Sequence, residues 1–196
     1  MTIDIIMALS LFAFVSSITP GPNNLMLMTS GVNFGLKLTL PHLFGVAIGF
    51  TVMIVLVGAG IVQLFDAWPM SYSVLKVLSI SYLLYLAYKI ATATAINKQD
   101  NTEAKPMTLV QAALFQWVNP KAWTMALTAV SVYSPTGSII AILIVALVFG
   151  AINLPCIGVW AMLGDKMQST LNQQKYLIWF NRMMALLLVL SLLVAV

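Results

Sequence analysis

An apolar run over residues 5–28 contains Thr19-Pro20-Gly21-Pro22-Asn23-Asn24. Without that stretch the run would read as one long helix. Each proline removes a backbone donor and crowds the preceding turn, and the residue before it is pushed out of the α region. Inside hydrocarbon, backbone groups freed in this way are tolerated only where protein or a water-filled cavity satisfies them. The break therefore implies a cavity. It also implies a bend: from Ile3 to Gly35 a straight helix would run about 50 Å, well beyond a hydrocarbon core of about 30 Å. The chain must turn sharply or re-enter at Thr19 to Asn24, and this bend is expected to be the moving part.

The bilayer setting follows from composition. Of 196 residues, 61% are hydrophobic and only 7% are charged, too few to keep a soluble domain of this length dissolved. Six apolar runs stand out, over 5–28, 40–64, 74–93, 109–130, 139–163 and 176–196. The net charge of +4 reads as a topology signal and not as a nucleic-acid footprint. Lys37 lies in the first connection, Lys89, Lys98 and Lys105 around the third, and Lys166 and Lys175 in the fifth, whereas the second and fourth connections hold no Lys or Arg. By the positive-inside rule the odd-numbered connections are cytoplasmic and both termini periplasmic. Lys76, just past the second connection, fits this least well. Met1 to Asp4 carries an acid and no base, the wrong sign for a cleaved signal, so the first run reads as a span. The single cysteine, Cys156, excludes an intramolecular disulfide and reads as a small buried apolar residue.

The one sustained polar segment, over 94–106, lies at mid-chain. It suggests a first unit over 1–93, a cytoplasmic linker over 94–107 and a second unit over 108–196. Three spans per unit would make the halves inverted relative to each other. Features recur in order: a break at Thr19 to Asn24 and another at Val118-Asn119-Pro120-Lys121; Lys76 and Arg182 near the starts of the third spans; Gly45 and Gly49 in one middle span, Gly150 and Asn153-Leu154-Pro155 in the other. The expected fold is all-α and polytopic, with six transmembrane helices in two inverted three-helix repeats, the first helix of each broken. Gly45 and Gly49 form a GxxxG that permits close helix contact, inside the monomer by default and otherwise in a homodimer.

Lys121 lies about eleven residues into the fourth run, about 17 Å deep, near the midplane. A lysine there costs about 2.5–3.5 kcal/mol unless paired or hydrated. Asp4, Asp66, Asp100, Glu103 and Asp165 all fall in termini, connections or span ends, so Lys121 has no acid partner and invites an anion. Half-helices starting near Pro22 and Pro120 would offer free N–H groups and a positive dipole end to the same anion. Asn23, Asn24 and Asn119 add donors and acceptors. A zwitterionic amino acid suits such a site, carboxylate toward Lys121 and ammonium toward asparagine and unwound carbonyls. The candidate substrate site is therefore Thr19, Pro20, Gly21, Pro22, Asn23, Asn24, Asn119, Pro120 and Lys121, with no catalytic residue, metal or cofactor.

These residues resemble the LysE/RhtB superfamily of amino-acid exporters. The resemblance runs from Thr19-Pro20-Gly21-Pro22-Asn23-Asn24 through Gly35, Gly45, Gly49, Leu75-Lys76, Tyr82-Leu83 and Tyr88-Lys89. It continues through Phe115-Gln116-Trp117-Val118-Asn119-Pro120-Lys121-Ala122, Trp160, Leu163-Gly164-Asp165 and Asn181-Arg182, and so covers nearly the whole chain. It implies a bacterial inner-membrane efflux transporter driven by the proton-motive force, working on small amino acids or their derivatives by alternating access. Lys89-Ile90-Ala91-Thr92 and Ala104-Lys105-Pro106 look closest to the branch that exports cysteine and O-acetylserine. Met184, Ala185 and Leu188 stand where members often have glycine, which bears on the packing of the last helix more than on the site.

The expected partners are an amino-acid substrate, protons and the lipid bilayer. His42, Asp165 and Lys121 are the candidates for proton coupling, with His42 read as interfacial beside Pro41. The competing readings are an inorganic-ion exporter and a non-transporting membrane subunit. One cysteine and one histidine make a poor soft-metal site. An enzyme is disfavoured because no serine in a span has a base at comparable depth.

Overall fold

The computed structural model describes residues 1–93, 105–134, 137–171 and 173–195. The expected linker over 94–107 falls mostly outside the described residues. All regular structure among the described residues is helical: α1 (Ile3–Ile18), α2 (Pro22–Phe34), α3 (Leu36–Gly58), α4 (Ile61–Ala67), α5 (Met70–Thr92), α6 (Leu109–Phe115), a 3-10 turn (Gln116–Val118), α7 (Pro120–Tyr133), α8 (Ile139–Gln168) and α9 (Gln174–Ala195).

Four helices, α3, α5, α8 and α9, are long and apolar enough to cross a membrane. A fifth candidate is the pair α1 and α2, bent by 52° at the proline stretch. That is the strong bend expected from the length of the first run. Pro22 sits at the first position of α2, where its missing N–H costs nothing. The fourth run divides in the same manner, with Pro120 opening α7.

Two boundaries differ from the sequence expectation. The second run, expected over 40–64, begins earlier, at Leu36, because the Asp165 carboxylate accepts the Leu36 N–H at 2.7 Å and caps the helix from α8. It ends earlier too, at Gly58, because Gly60 takes a left-handed φ of 101° and turns the chain into the separate short α4.

Packing divides the helices into a bundle and a pair. In the bundle, α8 runs against α1, α2 and α3, while α3 also packs on α6 and α7. Its core combines Leu9, Ala13, Phe50, Met53, Ile54, Ala126, Val145 and Phe149. Gly45 and Gly49 lie directly against the α6 backbone: a Cβ on Gly49 would come 2.5 Å from the Ala113 Cα. The GxxxG is thus used inside the chain, and that face is not available to a second copy. The remaining long helices, α5 and α9, pack chiefly on each other. Leu83, Leu86 and Ala87 of α5 and Ala185, Leu188 and Leu192 of α9 meet Leu25, Met26 and Phe115 of the bundle. Ala185 and Leu188 are buried here, so α9 packs through side chains where glycine would have let backbones touch.

Candidate functional site at the paired helix breaks

The end of α1 leaves carbonyl groups without helical partners, and those of Ser17, Ile18, Thr19 and Pro20 are met by side chains from other helices. Asn24 of α2 donates to the Ser17 carbonyl at 2.9 Å and the Thr19 carbonyl at 2.8 Å. Trp160 of α8 donates its indole N–H to the Ile18 carbonyl at 3.1 Å. Lys121 of α7 reaches the Thr19 carbonyl at 2.6 Å and the Pro20 carbonyl at 3.4 Å. The ammonium thus faces the negative end of a helix dipole. Lys121, expected to lack a partner, has one made of backbone oxygen.

The second break is held partly by itself. Asn119 accepts the Lys121 N–H on its side chain at 3.2 Å and so caps α7, and the Trp123 indole bonds back to the Trp117 carbonyl at 2.9 Å. The two breaks are joined by a reciprocal amide pair. Asn23 donates to Gln116 at 2.8 Å and accepts from it at 3.1 Å. Gln116 is fully buried, and its amide also donates to the Ala112 carbonyl.

Gly21, Asn23, Asn24, Asn119 and Lys121 line one small cavity of about 20 Å³, together with Ser16, Ser17, Asn153 and apolar walls from Phe50, Ala122 and Met125. It has room for about one water and none for an amino acid. Thr19 and Pro20 are exposed, and Pro22 is buried in the turn. Pro120 instead lines a second cavity, of about 300 Å³, between α4, α5, α7 and α9, with Tyr72, Lys76 and Trp123. The other two coupling candidates lie away from the breaks. Asp165 caps α3. His42 is buried and lines a third cavity, of about 140 Å³, between α2, α3 and α5. His42, read as interfacial, is 2% exposed and lies in the second turn of α3, which starts at Leu36.

Gln116, Ser17, Asn153 and Trp160 complete the constellation, and none of them stands among the expected site residues. Asn153 donates to the Ser17 hydroxyl at 3.0 Å, and its own carbonyl oxygen has no partner among the described residues. The signal was present: an amide in the middle of an apolar run must find partners in the protein. Asn33 and Asn181 follow the same rule. Their amides pair at 2.9 and 3.2 Å, and Asn181 also donates to the Ala93 carbonyl, tying α2, α5 and α9 together at one end.

With this geometry in view, comparison with known proteins is informative. The model of the family described as LysE type translocator matches residues 14–195. The cysteine/O-acetylserine efflux protein of Escherichia coli strain K12 is 27% identical over 96% of both chains. The protein of the same description from Shigella flexneri is equally similar, and that of Escherichia coli O139:H28 is 26% identical over the same shares. No solved structure matches the chain.

Proposed function

Because this chain belongs to the LysE type translocator family, and so is a multi-pass membrane transporter and not an enzyme, we propose that it exports small amino acids or their derivatives across the bacterial inner membrane. The observation that carries this reading is the meeting of the two helix breaks through Asn23–Gln116 and Lys121–Thr19. Such contacts bring a cation, amides and unwound carbonyls together, the mix of donors and acceptors a zwitterion needs. The relatives' description makes cysteine and O-acetylserine the first substrates to try.

In this reading α1 with α2 is one span and α6 with α7 another, giving six spans in two inverted halves over 1–93 and 108–196. The pairing of α3 with α8 and of α5 with α9 supports it, since each helix meets its counterpart from the other half. The ends of α2, α5 and α8 and the starts of α3 and α9 meet through Asn33–Asn181–Ala93 and Asp165–Leu36. Lys37, Lys89, Lys105, Lys166, Lys175 and Arg182 all lie near those termini, and among the described residues Lys76 is the one Lys or Arg at the far end. That end is then cytoplasmic, with both chain termini periplasmic. Exposed Leu11, Leu38, Leu114, Ile140 and Leu147 supply the lipid-facing surface.

The cavities at His42 and at Pro120 lie toward opposite ends of α5. Leu83 and Leu86 pack on Leu25, Met26 and Phe115 between them. Displacement of the α5–α9 pair against the bundle would open one cavity toward the breaks and then the other, giving alternating access. The substrate carboxylate replaces the Thr19 and Pro20 carbonyls at Lys121, and its ammonium meets the unpartnered Asn153 oxygen. Loss of the Lys121 proton couples the cycle to the proton-motive force. The test is uptake of labelled cysteine, O-acetylserine and other small amino acids into inverted membrane vesicles under an imposed pH gradient. Gradient-dependent uptake by the native protein and its loss in Lys121→Met are expected. Uptake of no amino acid would overturn export, and normal gradient-dependent uptake by Lys121→Met would overturn the role of Lys121.

A further inference from the structure

His42 is the only histidine in the chain and is 2% exposed, and neither ring nitrogen has a hydrogen-bond partner among the described residues. A buried polar group of this kind is normally satisfied. It lines the cavity of about 140 Å³ that it shares with Met26, Thr29, Ser30, Asn33 and Lys89, space for several water molecules. The hydroxyls beside it are committed as donors. Thr29 donates to the Leu25 carbonyl at 2.8 Å. Thr39 donates to the Gly35 carbonyl at 2.9 Å, so the proton in the 2.8 Å contact between Ser30 and Thr39 comes from Ser30. Thr29 and Ser30 are left with oxygen lone pairs and no proton to give. A neutral imidazole adds one accepting nitrogen and one N–H, so the pocket holds three acceptors against that single imidazole donor.

A pocket rich in acceptors suits a ligand end that only donates, and an ammonium with three N–H groups is that end. Exposed Lys89 also lines the cavity and favours a carboxylate at the other end of the ligand. Asn23, Met26, Ser30 and Asn33 follow one another at spacings of three and four residues, so one face of α2 runs from the central breaks to this cavity. The geometry points to a second substrate site: the His42 cavity binds the ammonium end of a small amino-acid zwitterion before it reaches the breaks. The identity of the ligand as cargo rests on the export reading, but its binding here does not.

A single histidine makes the site directly visible by NMR. In protein labelled with ¹⁵N-histidine, L-cysteine titrated under reducing conditions should move the His42 imidazole signals saturably. N-acetyl-L-cysteine, which keeps the carboxylate and lacks the ammonium, should not move them. The L-cysteine shift should persist in Lys121→Met, where the central site is disabled, and Ser30→Ala should weaken the apparent affinity at least threefold. Absence of a saturable shift would overturn the site, as would an equal response to the N-acetyl compound or loss of the response in Lys121→Met. A saturable shift in a protein that transports no amino acid would leave this site standing and overturn the export reading.

Discussion

The two helix breaks solve the same problem by opposite means. At the first, the carbonyls of Ser17, Ile18, Thr19 and Pro20 are met by Asn24, Trp160 and Lys121, and the last two lie more than a hundred residues away in the sequence. At the second, Asn119 caps α7 two residues on, and Trp123 closes on Trp117 six residues back. The first break can exist only in the assembled bundle. The second is largely specified by its own neighbourhood, so losses at the first should spread to the whole bundle and losses at the second should stay local.

Asn24→Leu should give the largest effect. It keeps the volume roughly but removes two hydrogen bonds, leaving the buried Ser17 carbonyl without its donor, at about 1–3 kcal/mol, and the Thr19 carbonyl with Lys121 alone, and should lower the thermal unfolding midpoint in detergent most. Trp160→Phe removes one indole donor from the Ile18 carbonyl and should cost about 1–3 kcal/mol in the same measurement. Asn119→Ala removes a local N-cap and should cost about 1 kcal/mol. Asn119→Ser, which can still accept the Lys121 N–H and buries no charge, should lose less in that assay. Equal losses in Asn119→Ala and Asn24→Leu would break the contrast between the breaks. A graded series in the order given would sharpen it.

The same contrast explains what could be read from the sequence. Pro20, Pro22 and Pro120 act on the backbone beside them, so both breaks and the bend were legible, as were the long apolar helices and the close contact at Gly45 and Gly49. The partners of Lys121 were not, because a lysine within a span calls for a carboxylate and the structure supplies Thr19 and Pro20 carbonyls. The burial of His42 was hidden for a similar reason: the start of α3 depends on Asp165, on another helix. Cys156 is buried, as its type suggested.

The packed middle of α5 carries a last consequence. If the α5–α9 pair moves as proposed, the contact of Leu83 and Leu86 with Leu25, Met26 and Phe115 acts as the pivot of a lever. Widening one end narrows the other, so the two entrances are mutually exclusive through geometry alone, with no separate gate. A continuous leak across the membrane would require the pivot itself to come apart. Shaving Leu83 to alanine should therefore show itself first as passive, gradient-independent solute flow, before any loss of driven export.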